Sequence, residues 1–136
     1  MSIKHIMLKS SKRFIKFAIV GFSGIIVNEG LLFLLTEFGS LFYLYSSIIA
    51  IEASVLSNFL LNDVWTFNDR RKKGKKNFLR RLFNWHITRS ITIGVNFLIL
   101  WGLTTSGTHY LISNLIGIIV ATGLAYFLSF KLVWKI

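Results

Sequence analysis

Asn68-Asp69-Arg70-Arg71-Lys72-Lys73-Gly74-Lys75-Lys76-Asn77-Phe78-Leu79-Arg80-Arg81 holds eight basic residues, and long apolar runs flank it on both sides. That contrast decides the fold class. Of the 136 residues 54% are apolar and mean hydropathy is +0.63, yet the net charge is +11. A soluble domain needs a polar face on most of its elements, which such an average does not supply. Here the charge is gathered between apolar blocks, the pattern of a membrane protein. Charge alone would also suit nucleic acid, but a loop tethered against a bilayer and lacking any recognition module argues against that partner.

Working outward from the basic stretch, four apolar runs are each long enough for the roughly 20 residues that cross about 30 Å of hydrocarbon. They span residues 14–35, 43–67, 82–103 and 110–134. Helix is expected for all four, because lipid offers no partner to a bare backbone amide, and none of the runs alternates as a barrel strand would. The connections 36–42 and 104–109 contain no Lys or Arg. The 68–81 loop, the segment before residue 14 and the end of the last run all carry basic residues. The positive-inside rule then puts both termini and the basic loop in the cytoplasm. Trp65, Phe67, Trp85 and Trp134 mark one interface, and Phe42, Tyr43 and Tyr110 the other. The first run is too long for the apolar core of a cleaved signal peptide.

Sliding the chain by 68 positions pairs Asn28 with Asn96, Thr36 with Thr104, Gly39 with Gly107, Ala53 with Ala121 and Lys12-Arg13 with Arg80-Arg81. The expected architecture is therefore all-α: a single membrane domain over residues 1–136, an integral membrane four-helix bundle. Its two parallel two-helix repeats would be oriented N-in/C-in, in a multi-pass protein of the cell membrane.

Within the spans, Ser46, Ala50, Ser54, Asn58 and Asn62 recur every four residues, as do Ser113, Gly117, Ala121, Ala125 and Ser129. Ridges of small residues let helix backbones approach closely in lipid, so both read as packing seams. Asn58 and Asn62 are larger than a seam requires, and suit either an interhelical hydrogen bond or a substrate path. Glu29, Glu52 and Arg89 are ionisable residues inside spans. Each would cost at least about 2.5 kcal/mol facing lipid, so each is expected to face the bundle with a partner. An Arg89 pairing with one of the acids leaves the other carboxylate over, for a proton or a cation. Asp63, at a span end, is expected to reach headgroup water.

The sequence lacks cysteine and proline, and no histidines are spaced as metal ligands, so neither a metal nor another cofactor is expected. No nucleophile–base pair, catalytic carboxylate pair or phosphate loop lies in a water-exposed segment, so the chain is not expected to be an enzyme by itself. The basic loop fixes orientation and meets anionic lipids. In a functional role, Arg70, Arg71, Arg80 and Arg81 would gather a phosphorylated headgroup or dock a partner.

Phe14-Ile15-Lys16-Phe17-Ala18-Ile19-Val20-Gly21 followed by Asn28, then Asn58-Phe59-Leu60-Leu61-Asn62-Asp63-Val64-Trp65-Thr66-Phe67, and then Phe78-Leu79-Arg80-Arg81-Leu82-Phe83 resemble the sequence features of GtrA-like proteins. These are four-span proteins related to the membrane domain of dolichol-phosphate-mannose-synthase-type proteins. Asp63 departs from the basic residue often found there, and the second repeat ends without the asparagine. The resemblance implies a translocase (flippase) of polyprenyl-phosphate-linked sugars, or an accessory to a membrane glycosyltransferase, in cell-surface polysaccharide synthesis. Asn28, Glu29, Glu52, Asn58, Asn62, Arg89 and Asn96 would then line the polar path of a homo-oligomer or a complex with the glycosyltransferase. The alternatives are a small proton-coupled multidrug-type exporter, which also has four short spans and a glutamate in the first, and a non-transporting anchor for a cytoplasmic glycosyltransferase.

Overall fold

The computed structural model describes residues 2–135, and every element among them is helical. Ser2 starts the first helix: its backbone is extended and its hydroxyl accepts from the His5 amide at 3.3 Å, satisfying one of the donors a helix start leaves open. Helix α1 runs Ile3–Glu37, 35 residues or about 52 Å at ~1.5 Å per residue. It begins well before the apolar run at residue 14. Hydrocarbon thickness counts only apolar residues, whereas Lys and Arg propagate a helix about as well as Leu does. For the same reason helix α3, Lys75–Thr105, starts directly after Gly74 and takes in the whole second half of the basic stretch. Gly74 turns the chain at φ 105, a conformation open to glycine. Helices α2, Tyr43–Leu61, and α4, Tyr110–Leu128, each have 19 residues. Each then widens into a five-residue π-helical turn, Asn62–Thr66 after α2 and Ser129–Val133 after α4. A single 3-10 turn, Asn68–Arg70, follows the first of these.

The chain divides into two compact units, Met1–Arg71 and Lys72–Ile136, each a helical hairpin. In the first, α1 packs on α2 along the ridge seen in the sequence: Ser46, Ala50, Asn58 and Asn62 are buried and Ser54 is half-buried. The closest approach is at Gly24. A Cβ placed there would lie 2.3 Å from Asn58 Oδ1, and the Ser54 hydroxyl donates across the seam to the Gly24 carbonyl at 2.7 Å. At the basic end, Phe17 meets Phe67 edge to face, with centroids 6.3 Å apart.

The second hairpin has the same plan. Ser113, Gly117, Ala125 and Ser129 of the α4 side are buried. A Cβ on Gly117 would lie 2.3 Å from Asn96 Oδ1. Trp85 meets Trp134 edge to face at 5.8 Å. The π turn leaves the Leu132 carbonyl outside the usual helical ladder, and Asn84 Nδ2 donates to it at 3.0 Å. Outward, both hairpins are apolar: Phe22, Ile26, Phe33, Phe97, Leu98 and Ile119 are each more than half exposed. Four helices are long and apolar enough to cross a membrane, counting each π turn with its helix.

Candidate anion-binding site

The extension of α1 beyond the apolar run gives the first hairpin a feature that its sequence did not announce. Lys9, Lys12, Arg13 and Lys16 follow one another at i, i+3, i+4 and i+7, so they share one face of α1. That face meets the end of α2 where the π turn redirects the chain. Together with Trp65, Thr66, Asn68 and Asp69 the four cations line a cavity of about 480 Å³.

Arg13 is its fixed element. The side chain is only 8% exposed; its guanidinium stands over the Phe67 ring at 5.6 Å, and one nitrogen donates to Asp69 Oδ2 at 2.6 Å. Lys9 Nζ lies 3.6 Å from the same carboxylate oxygen, and Arg70 Nε 3.8 Å. Partial burial pushes the Asp69 carboxyl upward. Arg13, through its charge and its hydrogen bond, together with Lys9 outweighs that, and the carboxyl lies below its ordinary value. Lys16 Nζ stands over the Trp65 ring at 5.4 Å, a cation–π contact. Thr66 is turned inward, its hydroxyl donating to Asn62 Oδ1 at 2.8 Å.

The residues expected from the sequence are distributed as follows. Arg70 joins the Asp69 cluster. Arg71 Nε is 3.1 Å from Asp63 Oδ2, and Asp63 is 1% exposed; it is buried in an ion pair instead of reaching headgroup water. The widened turn rotates Asp63 inward, and Arg71 folds back over it. Arg80 is exposed on α3, while Arg81 is buried, donating to the Lys72 carbonyl at 2.6 Å. Among the intramembrane residues, Asn58 and Asn62 lie in the α1–α2 seam, and Asn28 is half-buried. Glu29 and Glu52 are exposed on the first hairpin. Arg89 and Asn96 belong to the second hairpin. Among the described residues, Arg89 Nε and Asn96 Oδ1 are buried without a hydrogen-bond partner, as is Asn58 Oδ1 in the first hairpin. The Arg89 guanidinium stands over Trp85 at 6.0 Å. In the first hairpin's seam Ser54, and not the Asn58 carbonyl, makes the interhelical hydrogen bond described above.

Lys9, Lys12, Lys16, Trp65 and Asp69 were not singled out by sequence as one site. The helical spacing of the four cations was the available signal, and it is readable only once the helix is known to begin at Ile3.

The sequence model of the family described as GtrA/DPMS, transmembrane domain, matches residues 16–134. The dolichol-phosphate mannosyltransferase of Pyrococcus furiosus is 42% identical over 122 residues, which cover 90% of this chain and 34% of that protein. The chain thus spans about a third of that relative's length.

Proposed function

The chain belongs to the GtrA/DPMS transmembrane-domain family, and from that premise we propose that it serves glycosylation with polyprenyl-phosphate-linked sugars. It does so as the membrane partner of a glycosyltransferase, either moving the lipid-linked sugar across the bilayer or holding it for the enzyme. The observation that carries this reading is the 42% identity, extending over 90% of the chain, to part of a protein named as a dolichol-phosphate mannosyltransferase. The chain contributes membrane helices and leaves sugar transfer to its partner.

The geometry supports the reading at two depths. At the basic end a cationic cavity meets the start of the apolar stretch, suited to the sugar-free polyprenyl phosphate of the same cycle. Further along the spans, Glu29 is exposed on its own hairpin. A carboxylate facing hydrocarbon costs at least about 2.5 kcal/mol, so Glu29 addresses a group beyond that hairpin. Asn28, Glu29, Glu52, Asn58, Asn62, Arg89 and Asn96 form the polar path of the translocase version. Glycosyltransferase, anionic lipids and a second copy of the chain are the proposed partners.

The deciding experiment reconstitutes the protein in liposomes and follows a fluorescent or radiolabelled polyprenyl-phosphate sugar across the bilayer, with and without the glycosyltransferase. The expected result is faster movement than in empty vesicles, or, for the accessory version, faster sugar transfer by the enzyme. If the protein changes neither rate, both versions are wrong.

A further inference from the structure

Four cations line the cavity of the first hairpin against one carboxylate, Asp69. Three basic side chains, Lys9, Arg13 and Arg70, converge on a single oxygen of that carboxylate, Oδ2. Lys12 and Lys16 line the same space outside that cluster. One negative charge does not compensate this set. Arg13 is held in place by its burial, by the Phe67 ring and by Asp69, and Lys12 and Lys16 bring the excess positive charge to the rim beside it.

We propose that this cavity is a binding site for a phosphate monoester, with Asp69 acting as a built-in counter-anion that the phosphate displaces from the cationic cradle. A monoester carries about −1.5 to −2 at neutral pH and three acceptor oxygens, matching a set of converging Arg and Lys donors. A phosphodiester, with a single charge, matches it less well. Asn68 adds an amide to the rim, and Trp65 gives an aromatic wall against which the group next to the phosphate packs.

The source of the phosphate follows from the position of the cavity. Beyond the four cations α1 continues directly into Phe17 and Val20, which are buried in the hairpin, while Ile15, Ile19, Phe22 and Ile26 are 56, 52, 64 and 60% exposed. These four recur at i, i+4, i+7 and i+11, one stripe of the helix. A phosphate seated among Lys12, Arg13 and Lys16 has an apolar track leading away from it along α1. A lipid monophosphate uses both features; a soluble phosphate uses only the first. The inference takes from the proposed function only the choice of lipid for the test, and stands or falls apart from it.

The full chain in nanodiscs of neutral lipid, at about 0.1 M salt so that surface charge is screened beyond ~10 Å, is titrated with four probes. These are polyprenyl monophosphate, the corresponding free polyprenol, phosphatidylglycerol and inorganic phosphate. The monophosphate lipid is expected to bind at least about tenfold more tightly than the alcohol or the diester, and to be displaced by inorganic phosphate. The double variant Lys12→Gln/Lys16→Gln alters two side chains at the open rim, and loses most of that preference. Asp69→Asn strengthens monophosphate binding several-fold, because the competing carboxylate is gone. Equal binding of monophosphate lipid and polyprenol, or a preference untouched by the double variant, overturns the site. Weaker binding by Asp69→Asn overturns the counter-anion role. Should inorganic phosphate bind with the same lysine dependence while the lipid gains nothing over it, the site is for a soluble phosphate and the apolar track plays no part. A protein that binds in this way yet leaves both rates of the reconstitution assay unchanged would keep the site and lose the proposed function.

Discussion

Gly24 and Asn58 set how closely α1 and α2 approach. The amide of Asn58 fills the space where any other residue at position 24 would put its Cβ, 2.3 Å from Oδ1. The Ser54 hydroxyl reaches the Gly24 carbonyl at 2.7 Å because of that approach. Asn58 is a short side chain with little room to swing away. Gly24→Ala is therefore expected to lower the stability of the protein by about 1–3 kcal/mol, the usual range for overpacking, read as a lower thermal midpoint in detergent. Gly21→Ala is the matched control: nothing lies within 4 Å of its Cβ position, and the exchange should be neutral or slightly favourable, since Ala is the better helix former. Adding Asn58→Ala to Gly24→Ala should recover most of the loss, a coupling that a double-mutant cycle measures directly. Equal effects of Gly21→Ala and Gly24→Ala would show that helix propensity, and not contact across the seam, governs position 24.

At the scale of elements, the helix ends distinguish this structure from four plain rods. Each second helix closes with a π turn, and the turn frees carbonyl groups that need donors. In the second hairpin Asn84 of α3 supplies one, reaching the Leu132 carbonyl at 3.0 Å while Trp85 packs on Trp134. Asn84→Ala is expected to cost about 1–3 kcal/mol by leaving that carbonyl without its donor. It should also raise amide exchange around Trp134 while leaving the α1–α2 hairpin protected. Unchanged exchange there would mean that the aromatic pair holds the turn by itself.

These ends explain what the sequence left unread. The apolar runs and their four-residue ridges were legible, because lipid length and helix period are properties of composition and spacing. The starts of α1 and α3 were not, since Lys, Arg and Ser extend a helix without lengthening its apolar run. With them went the cation face Lys9–Lys12–Arg13–Lys16. Asp63 and Arg81 were read as facing water or headgroups, but a widened turn and a fold-back of the 71–74 segment bury both. Asp69 carries no signal of its own among eight basic residues; its role depends on the side chains that α1 brings to it.

The whole molecule comprises two hairpins of one plan. Arg13 and Arg81 stand 68 positions apart, as do Phe17 and Trp85, while Ser46 and Ser113, and Phe67 and Trp134, stand 67 apart. The register shifts where the α3–α4 connection is one residue shorter than that between α1 and α2. Descent from a duplicated hairpin is a proposal that this shared plan supports. Its consequence for topology can be tested. A duplicated hairpin would bring every basic end to one face, which the positive-inside rule predicts to be cytoplasmic. The chain contains no cysteine, so single cysteines report cleanly. Ser11→Cys and Lys73→Cys should resist a membrane-impermeant maleimide in intact cells and react in inside-out vesicles. Glu37→Cys and Ser106→Cys, at the ends of α1 and α3 remote from the basic residues, should do the reverse. Opposite accessibility of Ser11→Cys and Lys73→Cys would break the hairpin topology. Half-labelling of every position from both sides would mean insertion in two orientations. That is the behaviour of exporters whose loops carry nearly balanced charge, and a basic bias of this size should prevent it.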